Sequence, residues 1–420
     1  MKLQNSLLKS GLVGVLILLT SALAFATDGY FSHGYGIRYK ALGGSGVSVF
    51  YSSLGAANNP AGLVFVGKRF DAEVSFFIPV REYSIFGNPS GAPAFGLTPG
   101  TFESGKEFFV VPAIGSNFML NDKSSIGFSI YGNGGMNTEY DNAVFYGSSE
   151  TTGVNLAQMF LNSTYSRKLG DKHAVGASFI VALQWFEATG LEAFGPFSMD
   201  PTTLSDNGTD KSFGYGFKFG YMGELADGLR LGAAYQTKMK MGEFDDYAGL
   251  FAESGGFDIP SQWKAGISYQ LNPAWMVAFD VQQIMYSEVS SIANPMANLF
   301  TDPPNPLGSD NGPGFGWEDM TSVKFGTEFS GLETWKLRAG FSTGNQPIPE
   351  SEMLFNILAP GVIENHVTFG FSKAINDKNE LSFALMHGFS KDVSGVNPLD
   401  PAQTVELKMH QWEFSLGFNF

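Results

Sequence analysis

Strict alternation of large apolar residues with small or polar residues is the feature that most constrains how this chain can fold. It is clearest at the C-terminus, where every second residue is apolar: Trp412, Phe414, Leu416, Phe418 and Phe420. Successive side chains of a strand point to opposite faces, so the pattern indicates a strand with one apolar and one polar face. Repeated along a chain, it is typical of a barrel with a lipid-facing outside and a polar inside.

Fourteen segments show this alternation, and each is predicted to be a strand. They lie at roughly 68–82, 106–119, 124–137, 156–169, 172–188, 212–225, 228–242, 261–271, 274–288, 320–330, 333–343, 365–375, 379–391 and 408–420. Short connections rich in turn-forming residues, such as Asn272-Pro273, alternate with long ones, such as 289–319. This asymmetry predicts an antiparallel outer-membrane barrel with both ends on the periplasmic side. A secreted two-sheet sandwich, the alternative, would not give such regular alternation of short and long connections.

Composition excludes several other classes of protein. Hydrophobic residues make up 44% of the chain and aromatic residues 15%, which is too apolar for a disordered protein. The 52 glycines and 40 phenylalanines are poor material for a helix bundle. The absence of cysteine excludes disulfides and thiolate metal sites. The formal net charge of −15 disfavours nucleic acid as a partner, and none is predicted.

Residues 1–26 are predicted to be a signal peptide. Lys2 and Lys9 supply its positive start, a short apolar core follows, and Ala24-Phe25-Ala26 fits the cleavage rule. A membrane anchor is the alternative, but the apolar core is shorter than the roughly 18–20 residues that a spanning helix needs. The protein is therefore expected to be exported.

Residues 27–67 are predicted to form a plug inside the barrel that residues 68–420 build. Fourteen strands enclose more space than wall side chains alone can fill. The segment is rich in glycine, serine and asparagine and almost uncharged, which suits close packing in a crowded lumen. Apolar residues such as Val47 and Phe65 argue against the alternative, a flexible tail in water.

Three sets of motifs carry a resemblance to a known family. The first joins a glycine-rich stretch at 43–48 to Asn58-Asn59-Pro60-Ala61-Gly62, and the second is a glycine-rich strand at 132–138. The third combines Leu337-Arg338-Ala339-Gly340-Phe341 with Leu358-Ala359-Pro360-Gly361-Val362. In order and spacing these pieces resemble the N-terminal hatch, the third strand and the late strands of the FadL outer-membrane transporters.

The resemblance implies a fourteen-stranded barrel with an N-terminal hatch in the outer membrane of a Gram-negative bacterium. It also implies passive uptake of hydrophobic molecules, usually long-chain fatty acids and in some members aromatic hydrocarbons. In such transporters loops capture the ligand, a pocket binds it, hatch movement releases it, and a kink in the third strand opens the wall. The residues that would form the gate of the hatch are Asn59, Pro60 and Ala61. The residues that would permit the kink, or alternatively only the curvature of the barrel, are Gly132, Gly134 and Gly135.

No basic ligand residue of the family can be placed on this sequence by motif. Candidate ligand residues are therefore taken from the positions of the alternation whose side chains are predicted to face the lumen. The apolar candidates are Phe77, Phe109 and Met276, although each is equally suited to packing against the plug. The cationic candidates for a carboxylate are Arg338 and Lys336, and Arg338 is preferred because its fork matches a carboxylate. The alternative for Arg338 is an ion pair within the wall, for example with Glu328.

No enzymatic function, cofactor or metal site is predicted. The five histidines are scattered, and no nucleophile elbow or metal-spaced cluster appears. The expected partners are a fatty acid or aromatic hydrocarbon, outer-membrane lipid, and lipopolysaccharide held by the acidic long loops, and the protein is expected to be a monomer. A general porin and a surface adhesin remain open as alternatives.

Overall fold

A computed structural model describes residues 28–91, 94–149 and 151–420 of this chain. The predicted signal peptide, 1–26, lies outside the described residues. Within the described ranges, no helix is both long and apolar enough to cross a membrane.

Fourteen long antiparallel strands form a closed barrel, which confirms the predicted fold class. In chain order they are β1 (Arg69–Phe86), β2 (Phe109–Asn121), β3 (Ser124–Tyr140), β4 (Thr152–Lys168), β5 (His173–Thr189), β6 (Asp210–Ala226), β7 (Leu229–Gln236), β8 (Gln262–Asn272), β9 (Trp275–Ile284), β10 (Met320–Phe329), β11 (Trp335–Gly344), β12 (Asn365–Ala374), β13 (Glu380–Val396) and β14 (Thr404–Asn419). Each strand pairs with the next in sequence, and β14 pairs with β1, so the sheet is closed. Two short strands, Gly100–Glu103 and Lys240–Met241, pair with β1 and β6.

The described helices are all short and lie in the N-terminal segment or in the long connections. The α-helical turns are Ile37–Lys40, Leu63–Val66, Ala252–Gly255, Ser290–Ala293 and Met353–Asn356. The 3-10 turns are Ser53–Ala57, Pro60–Gly62, Glu192–Phe197, Pro201–Thr203, Asp245–Tyr247, Tyr286–Glu288, Met296–Phe300 and Glu350–Glu352. The long connections therefore have structure of their own above the barrel.

The two faces of the wall differ as the alternation predicts. Along β14, Trp412 and Leu416 are exposed on the outside, whereas Gln411 and Glu413 are buried on the inside. Along β6, Phe213 is 60% exposed and Phe219 is 51% exposed. Such a row of exposed aromatic side chains is stable where the surrounding medium is hydrocarbon, so these residues mark the lipid-facing surface.

Several strands continue past the boundaries that the alternation predicts. β1 extends to Phe86 rather than 82, and β14 begins at Thr404 rather than 408. In this region Glu82 pairs with Lys408 across the two strands, and their side chains form an ion pair of 3.0 Å. The apolar alternation records only the part of a strand that faces lipid, whereas the backbone pairing continues above the membrane.

β7 is interrupted near its end, and β9 is shorter than predicted. β7 pairs with β6 as far as Gln236, and after a short irregularity the chain continues in the same direction and pairs with β6 again at Lys240–Met241, so the predicted strand 228–242 is interrupted by a register shift. β9 ends at Ile284 rather than 288, because the chain turns there into the 3-10 helix Tyr286–Glu288. Apolar residues continue beyond the end of β9, and alternation alone does not reveal that the chain has left the wall there.

Residues 28–67, called the N-terminal segment below, lie against the inner faces of strands on several sides of the barrel. Inward-facing glycines of the wall make this close approach possible. A Cβ on Gly340 would lie 2.1 Å from the Gly43 nitrogen, and a Cβ on Gly232 would lie 2.2 Å from the Val47 oxygen. Any side chain at these two wall positions would collide with the backbone of the segment.

Candidate functional site

Buried charges fix the N-terminal segment to the wall. The Asp28 carboxylate accepts a hydrogen bond of 2.6 Å from Lys324 Nζ, which also donates to the His33 carbonyl at 2.7 Å. Burial alone would raise the pKa of Asp28, but the ion pair with Lys324 outweighs burial and lowers that pKa below its usual value. A second buried ion pair joins Lys40 to Glu413 of β14. The segment is thus held by contacts that must break before it moves.

The predicted gate residues form a capped turn that is tied to β6. The side-chain oxygen of Asn59 accepts from the Ala61 N–H at 3.0 Å and so caps the 3-10 helix that Pro60 begins. The Asn59 amide nitrogen donates to the carbonyls of Val47 (2.7 Å) and Tyr221 (2.9 Å). Asn59 therefore joins two parts of the N-terminal segment to the wall, and its role in gating remains a prediction.

The glycine-rich strand β3 leaves its neighbour β2 halfway along its length. Pairing between the two strands ends at Ile114 and Ile130, although β2 begins at Phe109. The pairing of β3 with β4 shifts register between Gly132 and Gly134, as expected for a β-bulge. The structure therefore places a bulge at two of the three predicted kink glycines.

Beyond the bulge, β3 pairs with the N-terminal segment. The Gly135 N–H donates to the Tyr30 carbonyl at 3.0 Å, and the Ser32 N–H donates to the Asn133 carbonyl at 2.9 Å. A Cβ on Gly134 would lie only 1.9 Å from the Tyr30 oxygen. The upper part of β3 therefore runs on the lumen side, where it contacts the segment.

This departure leaves a place in the wall where, among the described residues, β2 has no strand partner on the β3 side over 109–113. Val111 of β2 packs there with Ala157, Met159 and Trp185 of β4 and β5. Next to it, a small cavity is lined by residues of the N-terminal segment, β1, β2 and β3, including Tyr35, Val111 and Tyr131. The wall between β2 and β3 is thus closed by side chains rather than by a continuous hydrogen-bonded ladder.

An apolar pocket lies on the long-loop side of the barrel, which is the extracellular side. It encloses about 480 Å³ between protein atoms, part of it open to solvent. Its walls come from β4, β5 and four long connections. The lining residues are Val154, Phe186, Leu191, Phe194, Leu250, Phe251, Ser291, Leu307, Pro313, Gly314, Phe315, Phe355 and Leu358. Among the described residues, no charged side chain lines this pocket, so it suits an apolar ligand.

The apolar residues predicted to bind ligand lie elsewhere in the lumen. The rings of Phe77 and Phe109 are 6.3 Å apart on the inner faces of β1 and β2. Met276 packs against Leu42 and Val49 of the N-terminal segment. None of the three predicted residues lines the apolar pocket. The position of a residue in the alternation predicts that its side chain faces the lumen, but it does not predict which part of the protein that side chain contacts there.

The cationic residues predicted to bind ligand are also outside the pocket. Arg338 Nη2 lies 2.7 Å from a Glu328 oxygen, and the guanidinium lies 4.9 Å from the centre of the Tyr51 ring. This arrangement is the wall ion pair that the sequence left open as the alternative. Lys336 is exposed near the periplasmic end of the same strand. Binding of ligand by these two residues remains untested, and the pocket lining does not support it.

The residues that line the pocket were missed because most of them belong to long loops. A signal for them is present in the sequence, since phenylalanine recurs in connections that otherwise face water: Phe194, Phe251, Phe315 and Phe355. A phenylalanine in each of several long loops indicates that the loops pack together over a shared apolar space.

A closed fourteen-stranded barrel with long extracellular loops and an internal apolar pocket defines a class, the outer-membrane transport proteins. Residues 18–419 match the sequence profile of the outer membrane protein transport protein family (OMPP1/FadL/TodX), so the chain belongs to that family and lies in the outer membrane. No curated protein sequence matches the chain closely enough to count as a relative.

Solved structures of this family share the fold. The toluene transporter TodX of Pseudomonas putida is 18% identical, with a TM-score of 0.65 over 92% of this chain and 98% of that one. A FadL homologue of Pseudomonas aeruginosa is 15% identical, with a TM-score of 0.68 over 93% and 99%. The toluene transporter TbuX of Ralstonia pickettii is 18% identical, with a TM-score of 0.60 over 92% and 98%. At these identities the likeness shows the fold and does not identify a ligand.

Proposed function

We propose that this protein is a passive outer-membrane transporter of hydrophobic small molecules, with long-chain fatty acids as the first candidate ligands. The observation that carries the proposal is the lining of the extracellular pocket, which is apolar and has no charged side chain among the described residues. Burial of each CH₂ group contributes roughly 0.8 kcal/mol, so an alkyl chain binds in such a pocket without any chemical step. No enzymatic reaction is proposed.

The route from the pocket follows from the contacts below it. The N-terminal segment fills the lumen beneath the pocket and acts as the hatch, so the ligand advances only when part of that segment moves. The segment contacts β3 where that strand leaves β2, through the Gly135–Tyr30 and Ser32–Asn133 hydrogen bonds. Movement of the segment therefore loosens the wall between β2 and β3, and we propose that ligand leaves laterally at this place.

Aromatic hydrocarbons are the second candidate ligands. Five phenylalanines line the pocket, namely Phe186, Phe194, Phe251, Phe315 and Phe355. Aromatic rings attract one another in offset and edge-to-face arrangements beyond the effect of area alone, which favours a small aromatic ligand. Two of the structurally similar proteins are described as toluene transporters, which agrees with this candidate. In either case one chain contains the whole pocket, so we expect the protein to act as a monomer.

Equilibrium binding of oleate and of toluene to the purified protein tests this function. The pocket variant is Leu358→Trp, which fills the space, and the matched control is Leu332→Trp at an exposed turn on the periplasmic side. We expect Leu358→Trp to weaken binding at least about tenfold and Leu332→Trp to leave it unchanged. Equal binding by both variants would place the ligand site elsewhere and contradict the proposal.

Conductance in planar bilayers separates the proposal from a general porin. A barrel that is filled by its own N-terminal segment is expected to show no large steady pores, whereas a porin shows them. A protein that conducts little and binds neither oleate nor toluene would instead favour a structural or adhesive role.

A further inference from the structure

Lys218 is a buried ammonium group that has no carboxylate partner among the described residues. It faces the lumen from β6 and is 4% exposed. Its Nζ donates to the Ala57 carbonyl of the N-terminal segment and lies 5.9 Å from the centre of the Tyr35 ring. An ammonium group has three donors, so these contacts do not satisfy it. A buried charge in this state is costly unless an ion of opposite sign compensates it.

A second ammonium group, that of Lys264 in β8, lies on the same part of the inner wall. It is 8% exposed, and its Nζ donates to the Gly44 carbonyl at 3.2 Å. Asp280 lies diagonally across from it on β9, but the two form no ion pair in the described structure. One oxygen of Asp280 instead accepts from the N–H groups of Gly46 (2.7 Å) and Val47 (2.9 Å).

The described buried charges in this part of the lumen do not sum to zero. The ammonium groups are those of Lys218, Lys264 and Lys324, and the carboxylates are those of Asp28 and Asp280. Lys324 and Asp28 form an ion pair with each other. Three positive charges and two negative charges leave one positive charge, which a single monovalent anion would balance.

Buried amide groups beside the two lysines also lack partners. Gln236 of β7 lies directly opposite Lys218 on one side and Gln262 of β8 on the other. Among the described residues, Nε2 of Gln236 and Nε2 of Gln262 have no hydrogen-bond acceptor. The Oε1 atoms of Gln236 and Gln282 have no donor either. A water molecule alone would serve these amides but would leave the positive charge in place, whereas an anion accepts from the N–H groups and balances the charge.

One small cavity between the N-terminal segment and the wall is lined by these groups. Tyr35, Ala57 and Asn58 line it from the segment. Lys218 and Lys264 line it from the wall together with the three glutamines named above. Its volume is about 10 Å³, which is room for one particle about the size of a water molecule. This space suits a monatomic ion and is too small for a carboxylic acid or a phosphate.

We propose that this cavity binds a small monovalent anion such as chloride, and that the anion helps to fasten the N-terminal segment to β6, β7 and β8. The cavity is complete only when the segment lies against the wall, because residues of both form it. The anion therefore binds the fastened state and stabilises it relative to a loosened one. This inference goes beyond the proposed function and does not depend on which molecule is transported.

Anomalous X-ray scattering from bromide, which replaces chloride, tests whether the anion binds. Crystals of the purified protein are soaked in sodium bromide for the wild type, Lys218→Met and Lys123→Met. Lys123 is exposed in the turn between β2 and β3, so its variant removes the same charge far from the cavity. We expect a bromide peak between Lys218 and Gln236 in the wild type and in Lys123→Met, and no peak in Lys218→Met.

Labelling of a buried thiol tests whether the anion fastens the segment. Ser52 is buried in the segment, and Ser52→Cys supplies the thiol. Its labelling rate is compared in sodium chloride and in sodium gluconate of equal ionic strength, because gluconate is too large for the cavity. We expect labelling to be at least about fivefold slower in chloride, since an ion that binds only the fastened state lowers the loosened population. Gln236→Leu removes an unused donor without changing any charge and is expected to reduce this difference, whereas Lys123→Met is expected to keep it.

Absence of a bromide peak at the cavity of the wild type would show that the inference is wrong. Equal labelling rates in the two salts would contradict the fastening role. Should Lys218→Met fail to fold, Gln236→Leu replaces it in the crystals: a lost or weakened peak supports the inference, and a peak of full height overturns it. None of these measurements involves oleate or toluene, so their outcome is separate from that of the proposed function.

Discussion

Removal of the carboxylate at Asp28 is predicted to loosen the N-terminal segment from the wall. Lys324 is fully buried, and its ammonium group contacts only the Asp28 carboxylate and the His33 carbonyl among its hydrogen-bond partners in the described structure. In Asp28→Asn the ammonium group keeps neutral oxygen acceptors but loses its counter-charge. The fixed state of the segment is therefore destabilised relative to a state in which Lys324 reaches water.

The size of the effect follows from the burial of the pair. Removing one partner of a buried ion pair costs about 3–5 kcal/mol. The side-chain amide introduced by Asp28→Asn would still accept one hydrogen bond worth about 1 kcal/mol, which leaves about 2–4 kcal/mol. At about 1.4 kcal/mol per factor of ten, the loosened population rises about 30- to 700-fold.

Thiol labelling measures this population, since the natural chain contains no cysteine. Ser52 is buried in the N-terminal segment, and Ser52→Cys supplies a single thiol that reacts only when the segment loosens. We expect Asp28→Asn to accelerate its labelling by a factor within the range above. The double variant Asp28→Asn with Lys324→Met removes both charges and is expected to return the rate towards that of the parent.

Unchanged labelling in Asp28→Asn would refute this reasoning, because it would mean that the pair does not hold the segment. Equal acceleration in the single and double variants would also count against it, since the loss would then not arise from an uncompensated charge. Melting of the barrel, followed separately by circular dichroism, shows whether the effect is confined to the segment.

Three further predictions concern the same segment. Deleting residues 27–61 is expected to leave a folded barrel with raised, unselective permeability to small solutes, and unchanged permeability would refute the plug. Gly134→Val places a side chain against the Tyr30 carbonyl, so it is expected to slow oleate uptake by cells while the barrel still assembles. Normal uptake would show that this contact takes no part in transport. Burial, and then the nearby charges of His366 and Lys324, hold the pKa of His33 well below its usual range, so the unfolded or loosened state binds a proton that the folded state does not. The stabilisation from neutral His33 is present above about pH 6.5 and is lost as the pH falls, so thiol labelling should be faster at pH 5 than at pH 7, and His33→Gln should reduce that difference.

Much of the barrel was predictable because lipid imposes a simple rule on its outer face. Trp412 and Leu416 face outward and Gln411 and Glu413 face inward, as the alternation indicates. The boundaries failed where lipid contact and backbone pairing end at different residues, as at Phe86 and Thr404. The periodicity of apolar residues indicates which part of a strand contacts lipid. It contains no information about backbone pairing above the membrane.

The candidate site was predicted only in part. Glycine suits a bulge or a kink because it has no side chain, and Gly132 and Gly134 flank the register shift, while their role in opening the wall stays a prediction. Met276 and Arg338 have the correct inward parity, but the lumen offers three kinds of neighbour: the N-terminal segment, another strand or open space. Only the three-dimensional arrangement shows that Met276 contacts the segment and that Arg338 contacts Glu328.

The most direct measurement of the central claim is the initial rate of labelled oleate uptake by cells that lack their own transporter and express this protein. The account predicts saturable uptake well above that of cells with an empty vector, reduced in Leu358→Trp and unchanged in Leu332→Trp. If the protein is correctly assembled in the outer membrane and oleate uptake is no faster than in the vector control, the claim for fatty acids is contradicted. If labelled toluene gives the same result, the claim that this barrel transports hydrophobic molecules is contradicted.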